Sequence, residues 1–191
     1  MRQTMLFISV DVETAGPNPG LYSLLAIGAC AVFEPQETFY VELQPVNERS
    51  TPEALAVSGL SLEELVKNGL PPAEAMTRFA AWVEQVTGPR RPVFVALNAP
   101  FDWMFVNDYF HRYLGHNPFG HNALDIKALY MGVTGADWEE TYLEAMAKHY
   151  SLDLRLTHHA LQDALDQAEV FRRLLAELQE RCTTKNGSLA D

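Results

Sequence analysis

Two acidic side chains lie where a carboxylate is costly to bury. Asp11 stands within residues 5–12, a nearly continuous apolar run that is typical of a strand buried on both faces. Glu13 follows two residues later, and side chains two apart on a strand share one face of the sheet. A buried carboxylate must be protonated, paired or bound to a cation, and ligation by oxygen alone favours Mg²⁺ or Mn²⁺ over Zn²⁺. The alternative is a strand end that emerges into water, where both acids are solvated.

A third acid follows another predicted strand. Residues 93–97 form a short apolar run that leads directly into Asn98-Ala-Pro-Phe-Asp102, so Asp102 is expected in the first turn of a helix. That position lies at the carboxyl edge of the sheet, where open α/β sheets bind ligands. The alternative for Asp102 is a helix cap or a charge that complements the helix dipole.

The fourth acid lies close to two histidines. Asp163 falls near the start of an amphipathic helix predicted over 161–178, at the margin of its apolar face, whereas Asp166 is expected to project further towards solvent. His159 pairs with Asp163 one turn later if it is already helical, which leaves His158 free on the preceding loop. An imidazole titrates near neutral pH and can serve as a general base. The alternative is an ordinary surface pair of histidine and aspartate.

The elements that must position these groups are marked by apolar periodicity and turn residues. Four strands are predicted, at 5–12, 24–33, 38–43 and 93–97, with a hairpin turn over 34–37 between the second and the third. Helices are predicted from Pro52, from Ser61, over 73–86, from 98 to about 113, from Asp125, over 139–149 and over 161–178. Asp125 is interpreted as a helix cap rather than a ligand. Strands first, followed by helices alternating with strands, indicate one α/β domain with a mixed sheet.

The amino-acid composition excludes several classes of function. The chain has 191 residues, with 14 Lys plus Arg against 25 Asp plus Glu, a formal net charge of −11. That balance argues against a broad basic groove for nucleic acid, but it leaves room for a small phosphate site because bound cations reverse the field of a carboxylate site. Two cysteines are too few for a disulfide framework and favour a reduced, cytoplasmic setting. The sequence has no apolar run of the roughly 20 residues that a membrane span needs, and its N-terminus does not resemble a secretory leader.

Three segments, taken in order, resemble the motifs of a known family. Asp11-Val-Glu13-Thr-Ala-Gly16, Asn98-Ala-Pro-Phe-Asp102 and His158-x-Ala-Leu-x-Asp163-Ala are similar to the motifs of the DEDDh 3′–5′ exonucleases, the group of DnaQ-like proofreading subunits, ribonuclease T and oligoribonuclease. The resemblance runs from about residue 5 to residue 178. It implies a single ribonuclease-H-like α/β domain over 1–181, with a mixed central sheet of about five strands flanked by helices. A flexible polar tail is expected over 182–191.

The same resemblance implies a reaction and a set of site residues. The ligands of two Mg²⁺ or Mn²⁺ ions would be Asp11, Glu13, Asp102 and Asp163, and His158 would be the general base. The expected substrate is single-stranded or short DNA or RNA with a free 3′ end, hydrolysed to nucleoside 5′-monophosphates. One alternative is a subunit that acts mainly as the partner of a polymerase or another nucleic-acid complex, and another is an inactive nucleic-acid-binding relative. The resemblance leaves open whether the substrate is DNA or RNA. It also allows a homodimer, because several relatives form one.

Substrate contacts are predicted beside the motifs. The candidates are Thr14, Ala15, Gly16, Leu60, Asn98 and Phe101. The turn after the first strand would bring backbone close to the terminal sugar or phosphate, and Leu60 and Phe101 would pack on the terminal base. Core packing is the alternative for Phe101. Family members often have Glu, His and His at three positions that hold Ala26, Leu97 and Ser58 here, and none of these departures removes a predicted metal ligand.

Overall fold

The structure, a computed structural model, describes residues 4–187, with side chains described over 4–183. In that range the strands are β1 (Met5–Thr14), β2 (Leu24–Ala31), β3 (Glu34–Glu42), β4 (Arg91–Ala96) and β5 (Ala123–Asp125). The α-helices are α1 (Pro52–Ser58), α2 (Leu62–Asn68), α3 (Pro72–Thr87), α4 (Ala99–Leu114), α5 (Ile126–Thr134), α6 (Leu143–His149) and α7 (Ala160–Gly187). A 3₁₀ turn, Trp138–Glu140, precedes α6.

The five strands form one mixed sheet in the order β3-β2-β1-β4-β5. β1 pairs antiparallel with β2 and parallel with β4. All residues of β2 are buried, and α7 packs across β2 and β1. At Gly28 of β2 an added Cβ would lie 2.1 Å from the backbone of Ala160, so glycine is required for the first turn of α7 to lie against the sheet.

Helices cover both faces of the sheet. On one face, α3 and α4 contribute to an aromatic core in which the rings of Phe79 and Phe110 stack with centroids 5.5 Å apart. On the other face, α5, α6 and α7 enclose a second core that includes Tyr130, Met146 and Phe171. Alternate residues of the strands supply the two cores, as the pleat of a sheet requires. The sheet is therefore held rigidly from both sides.

The α/β class and the mixed sheet predicted from the residue pattern are confirmed, as are the five strands that the family resemblance implied. Three predicted helix starts are confirmed as well, because the side chains of Thr51, Ser61 and Asp125 each accept a hydrogen bond from the N–H three residues later. The Asp125 carboxylate accepts from the Ala128 N–H at 2.7 Å, which confirms its interpretation as a cap.

Three features of the elements differ from the prediction. The hairpin turn lies at 32–33 rather than 34–37, because a register shift at the end of β2 lets the chain turn in two residues. The short strand β5 has no counterpart among the predicted strands, since three residues give no periodic signal. The helix predicted over 139–149 is interrupted at Thr141, whose hydroxyl donates to the Trp138 carbonyl at 2.7 Å.

The last helix, α7, continues to Gly187, past the end at 178 that the apolar spacing predicts. Glu177 and Arg181 form a salt bridge four residues apart, which supports the helix beyond its apolar stripe. The first part of the predicted polar tail, 182–187, is therefore helical backbone, and 188–191 lie outside the described residues. Within residues 4–187 no helix has the length and apolar character needed to cross a membrane.

Candidate active site

The site begins where β1 and β4 separate. Their parallel pairing ends at Ser9 and Val95. Beyond that point Gln167 of α7 lies between the strands, donating from Nε2 to the Val10 carbonyl at 2.9 Å and accepting at Oε1 from the Leu97 N–H at 2.5 Å. The buried amide of Gln167 therefore provides a hydrogen-bond partner for one backbone group on each of the two diverging strands. The divergence opens a cleft at the carboxyl edge of the sheet, where α/β folds bind ligands.

The cleft has a volume of about 560 Å³. Its floor lies at the ends of β1 and β4 and the first turns of α4 and α7, and its walls come from α1 and the chain between α5 and α7. The residues that the sequence assigned to metal binding and proton transfer all line it: Asp11, Glu13, Asp102, His158 and Asp163. The tertiary structure thus brings together groups from three distant segments.

Three of the acids form a tight cluster. Asp11, Glu13 and Asp163 each offer a carboxylate oxygen, and these oxygens lie within 4.8 Å of one another. Asp102 lines the same cleft and is 4% exposed. Its Oδ1 accepts a hydrogen bond from the Val12 N–H at 3.1 Å, which ties the start of α4 to β1 between the two clustered acids of that strand.

Burial and mutual repulsion raise the pKa values of Asp11, Glu13 and Asp102. Burial raises the pKa of Glu13 to about 8, and the charge of Asp163 adds to the shift. The pKa of Asp11 is well above its usual value because of burial and then of the neighbouring charges, that of Asp102 first. Burial also raises the pKa of Asp102, although backbone hydrogen bonds oppose the shift. A cation placed among these oxygens would relieve the repulsion.

Asp163 also holds the loop that carries His158. One carboxylate oxygen accepts from the N–H and the hydroxyl of Thr157 at 2.8 and 2.9 Å, and the other accepts from the His158 N–H at 2.8 Å. His158 has a φ of +56°, in the left-handed region that side chains disfavour. These hydrogen bonds hold it there, with the exposed imidazole lining the cleft.

The neighbouring histidine has a different role. The His159 ring stacks on Tyr40 of β3, with centroids 4.8 Å apart and planes at 17°. Its predicted side-chain pairing with Asp163 is not formed, because that carboxylate accepts hydrogen bonds from the loop instead. The prediction that Asp166 faces solvent is wrong, since Asp166 is 8% exposed and accepts from Gln162 Nε2 at 2.7 Å. α7 packs on both β1 and β2, so its buried face is wider than its apolar stripe.

Four of the six predicted substrate contacts line the cleft: Thr14, Gly16, Asn98 and Phe101. Ala15 and Leu60 are not among the lining residues. Ala15 is buried, and its N–H and C=O bond to Ser23 and Thr51. Leu60 packs on the same small apolar cluster as Ala15, and Val57 of α1 lines the cleft nearby. The contact roles of all six residues remain predictions.

Two of these positions have clear structural requirements. At Gly16 an added Cβ would lie 2.5 Å from the Tyr22 ring, so glycine allows the turn after β1 to pass close to that ring. Phe101 is half-buried, lines the cleft and contacts Phe105 with ring centroids 5.5 Å apart. Both interpretations of Phe101, core packing and contact with a base, are compatible with this position.

Sequence reasoning missed several lining residues, among them Lys127, Tyr142, Leu156 and Gln167. Gln167 did leave a signal, since it is an amide on the apolar side of a helix, four positions after Asp163. The others lie outside the motifs, and their proximity to the acids depends on how α5 and α6 pack. A single sequence carries no local signal for that arrangement.

Comparison with known proteins decides the family. The model of the exonuclease family matches residues 8–171. The chain belongs to the exonuclease family. The Escherichia coli protein 3′–5′ DNA exonuclease Cap18 is 50% identical to this exonuclease over 177 residues, which cover 92% of this chain and 94% of that protein. DNA polymerase III PolC-type from Thermotoga petrophila is 24% identical over 198 aligned positions, which cover 94% of this chain but 12% of the polymerase.

Solved structures share the fold of this exonuclease. The nuclease domain of 3′hExo, a DEDDh family member solved bound to rAMP, is similar with a TM-score of 0.71 at 14% identity, over 91% of this chain and 92% of that one. Escherichia coli exonuclease I, solved with a dT13 oligonucleotide, gives a TM-score of 0.69 at 19% identity, over 95% of this chain and 43% of that one. The predicted exonuclease relationship and the ribonuclease-H-like fold are confirmed.

The exonuclease family implies the use of divalent metal ions, and an acidic cluster lies in the cleft. The residues present fit such ions in three respects. The donors are all oxygen, three of them lie within 4.8 Å of one another, and burial raises the pKa values of Asp11 and Glu13, a shift that a bound cation would oppose. The cluster is therefore suited to hard divalent cations.

Proposed function

We propose that this exonuclease hydrolyses the terminal phosphodiester at the 3′ end of single-stranded or short DNA and releases nucleoside 5′-monophosphates. One observation carries the proposal: three carboxylates within 4.8 Å and an exposed imidazole share one cleft. DNA is the favoured substrate because the relative at 50% identity is a 3′–5′ DNA exonuclease. RNA is the second candidate, since the structural neighbour 3′hExo was solved with rAMP.

The proposed ligands of two Mg²⁺ or Mn²⁺ ions are Asp11, Glu13, Asp102 and Asp163. When bound, such ions activate water and stabilise the charge that develops on the phosphoryl oxygens. Two ligands come from one face of β1, one from the start of α4 and one from α7. Their spacing therefore depends on the packing of these three elements, which Gln167 and the hydrogen bond from Val12 to Asp102 help to fix.

His158 is the proposed general base. Its imidazole takes a proton from the water that attacks phosphorus, while the bond from phosphorus to the 3′ oxygen of the preceding nucleotide breaks. That oxygen receives a proton from solvent, so the products are a nucleoside 5′-monophosphate and a strand with a new 3′-hydroxyl. The loop held by Asp163 supports this role, because the imidazole projects into the cleft without being a ligand itself.

The cleft also suits a chain end. Its volume of about 560 Å³ is within the range of small-molecule sites, so a terminal nucleotide fits better than a length of duplex. Phe101 offers an aromatic face for the terminal base, and Thr14 and Gly16 line the approach to the acids. The net charge of −11 favours a short substrate footprint with few phosphate contacts.

A role mainly as a polymerase partner has less support. The alignment with the PolC-type polymerase covers 12% of that protein, whereas the exonuclease at 50% identity is matched over 94% of its length. An inactive relative is also less favoured, because all four acids and His158 are present in one cleft. A cytoplasmic location and a homodimer remain proposals, and a reduced compartment agrees with free Cys30 and Cys182.

The experiment that tests the function is digestion of matched single-stranded DNA and RNA oligonucleotides of several lengths with Mg²⁺ or Mn²⁺. We expect stepwise release of nucleoside 5′-monophosphates from the 3′ end, faster on DNA than on RNA. Asp11→Asn is the inactive control. Internal cleavage, release from the 5′ end, or undiminished hydrolysis after exhaustive chelation would contradict the proposal.

A further inference from the structure

Two large aromatic side chains stand exposed between α5 and α6. Trp138 is 54% exposed and Tyr142 is 56% exposed, whereas Thr141 beside Tyr142 is fully buried. The Thr141 hydroxyl donates to the Trp138 carbonyl at 2.7 Å. A segment that buries a threonine and exposes a tryptophan and a tyrosine reverses the usual order of burial, and such exposure often marks a binding surface.

Hydrogen bonds fix the backbone of this segment, residues 138–142. Asp137 and Glu140 form a reciprocal capping box around the 3₁₀ turn. The Tyr142 carbonyl accepts from the N–H groups of Ala145 and Met146 at the start of α6. Both aromatic rings are therefore displayed from an ordered backbone, and little backbone entropy is lost when they bind a ligand.

The 138–142 segment is continuous with the cleft. Thr141 and Tyr142 line the cleft, and Tyr142 also lines a second depression of about 550 Å³ together with Lys148. Lys127 lines the cleft too, and its Nζ lies 4.2 Å from the centre of the Trp138 ring. A strand that leaves the cleft towards the second depression must pass Tyr142.

Unpaired cations accompany these aromatic rings. Among the Lys and Arg side chains that the structure describes, those without a salt bridge are Arg49, Arg91, Lys127, Lys148 and Arg155. Three of them fall within 127–155, the part of the chain that forms this wall. The acids of the second depression, Glu140 and Glu144, offset part of this charge. Base stacking is therefore the larger expected contribution, and phosphate contacts are the smaller one.

We propose that the 138–142 segment, with Lys127 and Lys148, binds the single strand that precedes the terminal nucleotide. The inference rests on the proposed function and adds a second subsite to it. The terminal nucleotide occupies the cleft, and the bases before it stack on Tyr142 and Trp138. Every base has a flat face, so this surface accepts single-stranded nucleic acid without sequence preference and disfavours a paired end, whose bases are already stacked.

The test compares a substrate of one nucleotide with a longer one. The p-nitrophenyl ester of thymidine 5′-monophosphate reaches only the cleft, whereas an oligothymidylate of about ten nucleotides also crosses the 138–142 segment. In Trp138→Ala and Tyr142→Ala, the KM for the oligothymidylate is expected to rise roughly tenfold more than the KM for the ester. Trp138→Phe and Tyr142→Phe keep a ring and are expected to recover most of that loss.

Phe33→Ala is the matched control. Phe33 is 45% exposed in the turn between β2 and β3, and its ring contacts Phe7 near the start of β1, the end of that strand opposite to the acids. We expect its kinetics on both substrates to match those of the unaltered enzyme. An unchanged KM for the oligothymidylate in both alanine variants overturns the proposal. An equal loss on both substrates also overturns it, because damage to the cleft would then explain the result.

Failure of the proposed function gives a different result. If the unaltered protein hydrolyses neither substrate, the surface is tested by tryptophan fluorescence during titration with the oligothymidylate in Ca²⁺. Stacking is expected to quench the fluorescence, and Trp138→Phe is expected to remove most of the quenching. No quenching in the unaltered protein overturns the surface as well as the function.

Discussion

The floor and the outer wall of the cleft are built in different ways. The four acids of the floor come from strands or helices, and Asp102 and Asp163 are 4% and 3% exposed. The wall consists of connecting segments, the His158 loop and the 138–142 segment, whose side chains are exposed but whose backbones are held by hydrogen bonds. Buried charge costs free energy, so its clustering in a cleft indicates chemistry. Exposed rings on ordered loops indicate recognition.

Residues of the floor and of the wall therefore differ in what they control, the reaction in one case and the substrate in the other. Floor residues are fixed by the core on both sides of the sheet, so a change there alters the reaction before it alters binding. The exposed side chains of the wall contact the rest of the molecule little, so a change there leaves the fold intact. His158 is the wall residue proposed to take part in the reaction, and the exposed rings of the 138–142 segment are proposed to act on binding.

The largest effect is expected from removing a floor acid. Asp11→Ala, Glu13→Ala, Asp102→Ala and Asp163→Ala should each lower kcat/KM by roughly 10³-fold or more, because several kcal/mol of transition-state stabilisation depend on the bound ions. Single-turnover digestion of a labelled oligonucleotide measures the loss, and circular dichroism checks the fold. Glu63→Ala is the control, since Glu63 is an exposed acid on α2 paired with Lys67. A near-normal rate in any of the four would remove that residue from the set of ligands.

His158→Ala tests the wall residue closest to the reaction. Loss of a general base should lower kcat by about 10²- to 10⁴-fold, while Mn²⁺ binding measured by electron paramagnetic resonance is largely retained. His159→Ala is the matched control, because its ring stacks on Tyr40 and its expected loss is much smaller. A larger loss of turnover in His159→Ala than in His158→Ala would overturn the assignment.

The stability of the metal-free protein should depend on pH because the acids of the cleft floor titrate at different pH values in the folded and unfolded states. Folding raises the pKa of Glu13 from about 4.5 to about 8, so the folded state keeps a proton that the unfolded chain has released. The free energy of unfolding therefore falls as pH rises across that interval, and the raised pKa values of Asp11 and Asp102 act in the same direction. Thermal denaturation in chelator should show a Tm that falls as the pH is raised across that interval, and the fall should be smaller in Glu13→Gln. A Tm that rises with pH in chelator would contradict this account of the floor.

The smallest effect is expected in the salt dependence of binding, which reports on the wall. Each neutralised phosphate of a single strand contributes about −0.7 to the slope of log affinity against log salt concentration. The few unpaired cations beside the cleft predict a shallow slope, equivalent to a few contacts. Binding of an oligothymidylate to Asp11→Asn at several salt concentrations measures it. A steep slope would show a basic surface that the described residues do not reveal.

The parts of the site that depend on local geometry could be predicted from residue types and spacing. Asp11 and Glu13 share a face because strand side chains alternate, and Asp102 follows β4 at the sheet edge because a helix begins there. The five-residue spacing of His158 and Asp163 likewise places the histidine on the loop and the acid in the helix. These relations involve neighbours in the chain, so residue types and spacing are enough to predict them.

Which distant segments meet could not be predicted in this way and depends on the packing of the whole domain. The tertiary structure placed Gln167 between the two diverging strands, buried Asp166 beside Gln162, and stacked His159 on Tyr40. It also brought the 138–142 segment to the edge of the cleft, where no motif had indicated a site. The physical reason is that such contacts follow from the packing of helices on a twisted sheet. That packing depends on the complementary shapes of many side chains at once, so it cannot be predicted from any short stretch of sequence.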